Sequence, residues 1–242
     1  MDDVLAETVL LTGSNRGIGL EFARQLAGRV HTLYATCRRP DEAADLRDLA
    51  DEYASTLRVL PLDVTDADSI EMARKLVATD SGRVDLLINN AGVNGGGSSD
   101  RFETTDAETM MHTYRVNAVG PHLLVQAFAD LLRRAGEDGG ARVVNITSQL
   151  GSIANTRGGT WQSYKASKAA LNMCTRLQHG ALGGEGVCVV SMHPGWVQTD
   201  MGGSNARLTP QESVAGMVDV VDDLSMDDGG RFLTYAGEEL PW

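Results

Sequence analysis

Thr8-Val9-Leu10-Leu11-Thr12-Gly13-Ser14-Asn15-Arg16-Gly17-Ile18-Gly19 is the stretch whose reading decides the fold. The apolar run Thr8–Leu11 predicts a short strand, and the residues from 17 to about 28 predict a helix. The glycines between them permit a tight turn. They also let backbone approach a diphosphate, whose charge suits the N–H groups at the start of a helix. The spacing is G-x3-G-x-G, which differs from the G-x-G-x-x-G fingerprint of many dinucleotide sites. It lacks the Gly-Lys-Ser/Thr ending of a P-loop, which argues against nucleoside triphosphate hydrolysis. A plain strand-to-helix turn is the simpler reading, and a strand–turn–helix setting favours a dinucleotide.

The same alternation continues along the chain. Further strands are expected at 31–36, 57–62, 84–88, 142–146, 187–192 and 231–235. Helical patterns begin near Asp41, run over 66–77, over 105–134 with a kink at Pro121, and through the segment containing Tyr164. Near-continuous apolar strands separated by helices imply a parallel sheet covered on both faces. Right-handed crossovers make it a doubly wound, Rossmann-type α/β sheet of seven strands in a single domain over 1–242. Two segments read as mobile loops, Asn94–Ser99 and Gly136–Gly140. The first follows a strand's carboxyl end and is expected to border a ligand site.

Composition narrows the function. With 21 basic and 33 acidic residues the net charge is −12, so polyanion binding is disfavoured and no nucleic-acid partner is expected. Cys37, Cys174 and Cys188 show no metal spacing and read as reduced thiols of a cytoplasmic protein. No metal is expected. The start, Met1-Asp2-Asp3-Val4, has no cationic leader, and no apolar run reaches the ~18 residues of a membrane span.

Cofactor choice is read at the end of the second strand. An acidic residue about 20 positions beyond the glycine turn would hold the ribose hydroxyls of NAD. Here Cys37 is followed by Arg38 and Arg39. Arg38 can pair with a 2′-phosphate, and Arg16 offers a second positive charge, so NADP(H) is expected. Asp63-Val64 follows the third strand, where Asp63 fits either an adenine acceptor or a turn residue. Asn89-Asn90-Ala91-Gly92 ends the fourth strand, with small residues that either admit a cofactor or simply turn the chain. Ser148 ends the fifth.

Tyr164 and Lys168 stand four apart on a helix and so share a face. An ammonium beside a phenol favours the phenolate and lowers its pKa, which makes the pair a proton-transfer device.

Together these residues resemble the short-chain dehydrogenase/reductase family. The resemblance rests on Thr12-Gly13-x3-Gly17-x-Gly19, Asn89-Asn90-Ala91-Gly92, Asn117, Ser148, Tyr164-x3-Lys168 and Pro194-Gly195, in order and on the expected elements. Within the family, the glycine turn, His193–Gly203 and the ending Tyr235–Trp242 are similar to the C-factor-like and sniffer-like carbonyl reductases. The resemblance implies reduction of an aldehyde, ketone or quinone-like carbonyl to an alcohol. Tyr164 would be the general acid, and Ser148 the hydrogen-bond partner of the substrate oxygen. Lys168 would tune Tyr164 and hold the nicotinamide ribose, while Asn117 would hold a water leading to solvent. Cofactor contacts fall to Gly13, Asn15, Arg16, Gly17, Ile18, Gly19, Arg38, Asp63, Val64, Asn90, Ala91, Gly92, Tyr164, Lys168, Pro194, Gly195, Val197 and Thr199. The alternative is an NADP(H)-binding signalling protein with incidental turnover. The resemblance also implies a homodimer through helices 105–134 and 160–182, although the longer spacing from Ser148 to Tyr164 in this subgroup favours a monomer. His193 is expected to shape its loop, and Trp161 and Trp196 fit either an apolar pocket or packing. The loop Trp196–Arg207 reads as short and open.

Overall fold

Apolar residues alternate faces along each central strand, and this alternation places helices on both sides of the sheet. The computed structural model describes residues 5–138 and 140–242. The acidic start Met1–Val4 and Gly139 of the 136–140 connection lie outside them.

Seven strands pair in the order β3-β2-β1-β4-β5-β6-β7, and every pair is parallel. They are β1 (Ala6–Thr12), β2 (Val30–Cys37), β3 (Leu57–Pro61), β4 (Leu86–Asn89), β5 (Ala141–Ile146), β6 (Val187–His193) and β7 (Phe232–Thr234). On one face Val9, Leu11, Ile88 and Val190 meet α1 (Gly17–Ala27), α2 (Ala44–Glu52) and α8 (Pro210–Asp223). On the other, Leu10, Leu87, Val143 and Val189 meet α3 (Ala67–Asp80), α5 (Gly120–Ala127) and α6 (Ala129–Glu137). The strand order reverses direction between β1 and β4, and that switch point opens a crevice at the carboxyl ends.

Two departures from the sequence reading concern the site. The expected single kinked helix over 105–134 is three helices, α4 (Ala107–Tyr114), α5 and α6. A π-helical turn over Arg115–Val119 joins the first two. Pro121 is the second residue of α5, but the backbone is already helical through Val119 and Gly120, so its missing N–H falls just after the π-helical turn rather than at a free helix start. The second departure is α8, which the strand-and-helix reading did not include. Its signal was present: Thr209 caps the backbone of Glu212, whose side chain returns to Thr209, with Pro210 at the first position. Against α1 it closes the first face of the sheet.

α7 (Gln162–Leu182) packs on the sheet through polar groups. The Asn89 amide donates to Asn145 Oδ1 at 2.8 Å, and the Asn145 amide donates to Thr175 and Gln178 at 2.9 Å. Thr175 meets Ser191 at 2.8 Å. These bonds satisfy partners on three adjacent strands, so α7 has one register on the sheet.

Candidate active site

The glycine turn is built before any ligand arrives. Thr12 Oγ1 accepts from the main-chain N–H groups of Asn90 and Ala91 at 3.0 and 3.1 Å. The Asn90 amide donates to the Thr12 and Gly13 carbonyls at 2.9 and 3.1 Å. Asn90 therefore braces the turn from the end of β4. Gly19 is demanded by distance, since a Cβ there would lie 2.1 Å from the Gly13 oxygen. Arg16 precedes α1 and gives it no side-chain cap. The first N–H groups of that helix thus remain available to an anion.

At the end of β3, Asp63 accepts from Thr65 N–H and Oγ1 at 2.8 and 2.7 Å, a local turn. Burial pushes its carboxyl up, but the Thr65 bonds, with Arg38 and His112 nearby, outweigh that and hold it below its ordinary value. Arg38 enters no ion pair among the described residues, whereas Arg39 is bound to Glu42 at 2.9 Å. Arg16 pairs with Asp200 at 2.9 Å, both side chains well exposed.

Tyr164 and Lys168 lie on the face of α7 turned to the end of β5. Lys168 Nζ donates to the Ile146 carbonyl at 2.8 Å and stands 5.7 Å from the centre of the Tyr164 ring. The turn after Ser148 approaches α7 so closely that a Cβ on Gly151 would sit 2.8 Å from the Lys168 carbonyl carbon. Ser148 itself is buried, and its hydroxyl accepts from Leu150 N–H at 3.2 Å. Asn117, fully buried in the π-helical turn, exchanges two 2.8 Å bonds with the backbone of Val93. It also donates to Ser167 Oγ at 3.0 Å, and Ser167 donates to the Tyr164 carbonyl at 2.8 Å. Asn117 thereby ties the loop after β4 to the helix carrying Tyr164.

The Tyr164 phenol does not show the expected lowering by Lys168. Burial raises the Tyr164 phenol to about 12, opposed by the Ser148 hydroxyl. Burial also lowers the Lys168 ammonium to about 8. Desolvation dominates, with the ammonium bound to the Ile146 carbonyl. His193 is likewise buried, and burial takes its imidazole down to about 4, which suits a neutral loop residue at the end of β6.

The loop after β6 is more ordered than its composition suggests. Val197 bridges to Leu208, Gln198 donates to Ala206, and the Trp196 indole donates to the Gly202 carbonyl at 2.8 Å. Thr199 lies against the glycine turn, within 3.3 Å of where a Gly17 Cβ would be. Thr199 therefore borders the glycine turn from the loop after β6. Asp100 escaped the sequence reading altogether. It is buried, its main-chain carbonyl accepts from Trp161 N–H at 2.8 Å, and its carboxylate accepts from Ser163 N–H at 2.6 Å. No local pattern marks a contact spanning 63 positions.

A doubly wound parallel sheet with a glycine turn at its first strand and a Ser–Tyr–Lys–Asn group beside its switch point defines a dinucleotide-dependent oxidoreductase class. The profile of the family described as "short chain dehydrogenase" matches residues 7–208, and the chain belongs to that family. It is 45% identical over 163 residues to the C-signal of Myxococcus xanthus, covering 67% of this chain and 95% of that one. The solved structure of an NADPH-bound carbonyl reductase from chicken fatty liver is 38% identical, with TM-score 0.92 over 98% of this chain and 99% of the other. The carbonyl reductase Sniffer of D. melanogaster is 32% identical, with TM-score 0.93 over 98% and 100%. No helix among the described residues is long and apolar enough to cross a membrane, and they contain no metal-ligand cluster.

Proposed function

We propose that the protein is an NADPH-dependent carbonyl reductase that converts an aldehyde, ketone or quinone-like substrate to an alcohol. The observation that carries this reading is the convergence of Ser148, Tyr164, Lys168 and Asn117 beside a preformed glycine cradle. The carbonyl reductase likenesses, one of them NADPH-bound, support it. NADPH supplies the hydride when bound. Gly13, Asn15, Gly17, Ile18 and Gly19 cradle its diphosphate, and Arg38 takes the 2′-phosphate. Asp63, Val64 and the Asn90-Ala91-Gly92 turn flank the adenosine side, and Pro194, Gly195, Val197 and Thr199 flank the nicotinamide.

A phenol raised to about 12 keeps its proton at neutral pH but gives it up poorly, so it must be lowered toward working pH to act as the general acid for carbonyl reduction. Ser148 orients the substrate oxygen toward that proton. Lys168 would hold the ribose hydroxyls, and its ammonium charge, brought toward the phenol oxygen, would lower the phenol. Pro121 has no N–H to give the Asn117 carbonyl four residues earlier, so that carbonyl is the acceptor for a water leading from Lys168 to solvent. In a panel of carbonyls with NADPH, Tyr164→Phe should lose roughly 10²–10⁴-fold in kcat while still binding NADPH. Undiminished turnover would exclude the mechanism. The ratio of NADPH to NADH efficiency tests Arg38 separately, and a preference for NADH would remove its role.

The 45% identity to C-signal favours a second reading, an NADP(H)-binding signalling protein. Tight cofactor binding without turnover on any carbonyl would favour it. We further assign the protein to the cytoplasm, in keeping with three unpaired thiols. Exposed Met111, Val119, Met173 and Leu177 on the α4–α5 and α7 surfaces support a homodimer, which light scattering at micromolar concentration would detect.

A further inference from the structure

Trp161 is the one non-glycine residue at positive φ among the described residues, at 62°. A bulky side chain there is a genuine outlier that persists only when its surroundings over-determine it. The position is the N-cap of α7, and Trp161 supplies no capping bond. Glycine or asparagine would satisfy both local demands better. The chain instead holds the tryptophan in place from outside. Its N–H is bound to the Asp100 carbonyl at 2.8 Å, Ser163 N–H is bound to the Asp100 carboxylate at 2.6 Å, and Arg101 bridges to Thr160. The indole packs beside Gly97, 3.5 Å from where a Cβ would stand.

That placement sets the indole against the reacting phenol. The Trp161 and Tyr164 rings are 6.0 Å apart and inclined at 68°, an edge-to-face corner. The indole N–H has no acceptor among the described residues, unlike that of Trp196. Around the same carboxyl-end loops, Phe102 is 81% exposed and Ile153 78% exposed, with Trp196 half exposed. Arg101 and Arg157 on these loops are turned to main-chain carbonyls of Ser98, Ala154 and Thr156. The loops around the Trp161–Tyr164 corner thus expose apolar and aromatic side chains, while Arg101 Nε and Arg157 Nη1 are bound to backbone carbonyls.

We propose that Trp161, clamped by Asp100 in the left-handed conformation beside Tyr164, is a specificity-determining residue that selects flat, uncharged aromatic aldehydes and ketones. The assignment rests on the carbonyl reductase reading and names its substrate class. An aromatic ring packs into a corner of two aromatic rings through offset and edge-to-face contacts, which an alkyl chain does not reproduce. The ring's carbonyl then lies at the Tyr164 hydroxyl.

The test compares NADPH-dependent reduction of 4-nitrobenzaldehyde and hexanal by wild type, Trp161→Phe, Trp161→Ala and Trp161→Gly. The Ala and Gly variants should raise KM for 4-nitrobenzaldehyde about tenfold, equivalent to about 1.4 kcal/mol, with Phe restoring it. KM for hexanal should stay within about twofold. Trp161→Gly suits the left-handed backbone, so a folding defect confined to Trp161→Ala does not obscure the result. Calorimetry of acetophenone binding to the NADP⁺-saturated protein reads the same contact without turnover, and the Ala and Gly variants should bind about tenfold more weakly. Equal loss on both aldehydes with unchanged acetophenone binding would overturn the assignment while leaving the reductase reading intact. Indole-dependent acetophenone binding in a wild type that reduces neither aldehyde would uphold Trp161 and overturn the reductase reading.

Discussion

The glycine turn and the catalytic helix meet at one crevice, yet they are prepared in opposite ways. At the turn, Thr12, Gly13 and Asn90 satisfy one another, and only the N–H groups meant for an anion are left open. On α7, Tyr164 and Lys168 are held in place by backbone contacts, but their protonation equilibria are displaced from ordinary values by burial. The first region is preorganised in geometry and electrostatically at rest. The second is preorganised in geometry, with its ammonium charged at a desolvation cost.

Lys168 gives the sharpest way to break this contrast. Its folded pKa of about 8 lies below the unfolded 10.5, so the folded state binds fewer protons between those values. Stability should therefore rise as pH increases from about 8 to about 10.5, and the full burial penalty should apply below 8. Lys168→Met should stabilise the cofactor-free protein at pH 7 by on the order of 2–3 kcal/mol and flatten that pH dependence while abolishing turnover. Denaturant midpoints across pH 7–11 would check it. An unchanged profile would mean that Lys168 is not strained by burial.

Gly19→Ala probes the other region. The new Cβ would press on the Gly13 carbonyl 2.1 Å away, so overpacking should cost about 1–3 kcal/mol. Loss of NADPH binding in calorimetry should exceed the loss of thermal stability, because the turn must open where the diphosphate lies. A smaller effect is expected at the Arg16–Asp200 pair, which links the turn to the loop after β6. With both side chains well exposed, Asp200→Asn should leave the melting temperature nearly unchanged. It should shift NADPH affinity by no more than about threefold, upward if Arg16 is released to the phosphate. A large loss of stability would show the pair to be a structural strap.

Much of this was legible because the relevant contacts are local or periodic. Leu10 and Leu11 face opposite sides of the sheet as strand period requires, and Gly13 to Gly19 lies within one turn. Tyr164 and Lys168 share a helix face by their spacing alone. The strand at 84–88 was placed slightly early because Asp85 reads as part of an apolar run. In the fold, Asp85 accepts from Thr8 N–H at the entrance to the sheet, and β4 begins at Leu86. The π-helical turn was hidden because nothing in Arg115–Val119 announces it, and Pro121 suggested a kink where the irregularity is that turn just before it. α8 was missed although its capping box was readable.

The sequence by itself determined the alternating architecture, the glycine cradle, the Tyr164–Lys168 register and the basic end of β2, since each depends on residues a few positions apart. Tertiary structure alone decided that Asn117 is bound to Val93 and Ser167, that Arg16 pairs with Asp200, and that Asp100 grips Trp161 beside Tyr164. It also reversed the expected direction of the Tyr164 pKa. A pKa answers to solvent exclusion and to every neighbour in space, and neither is written in the spacing of two residues on a helix.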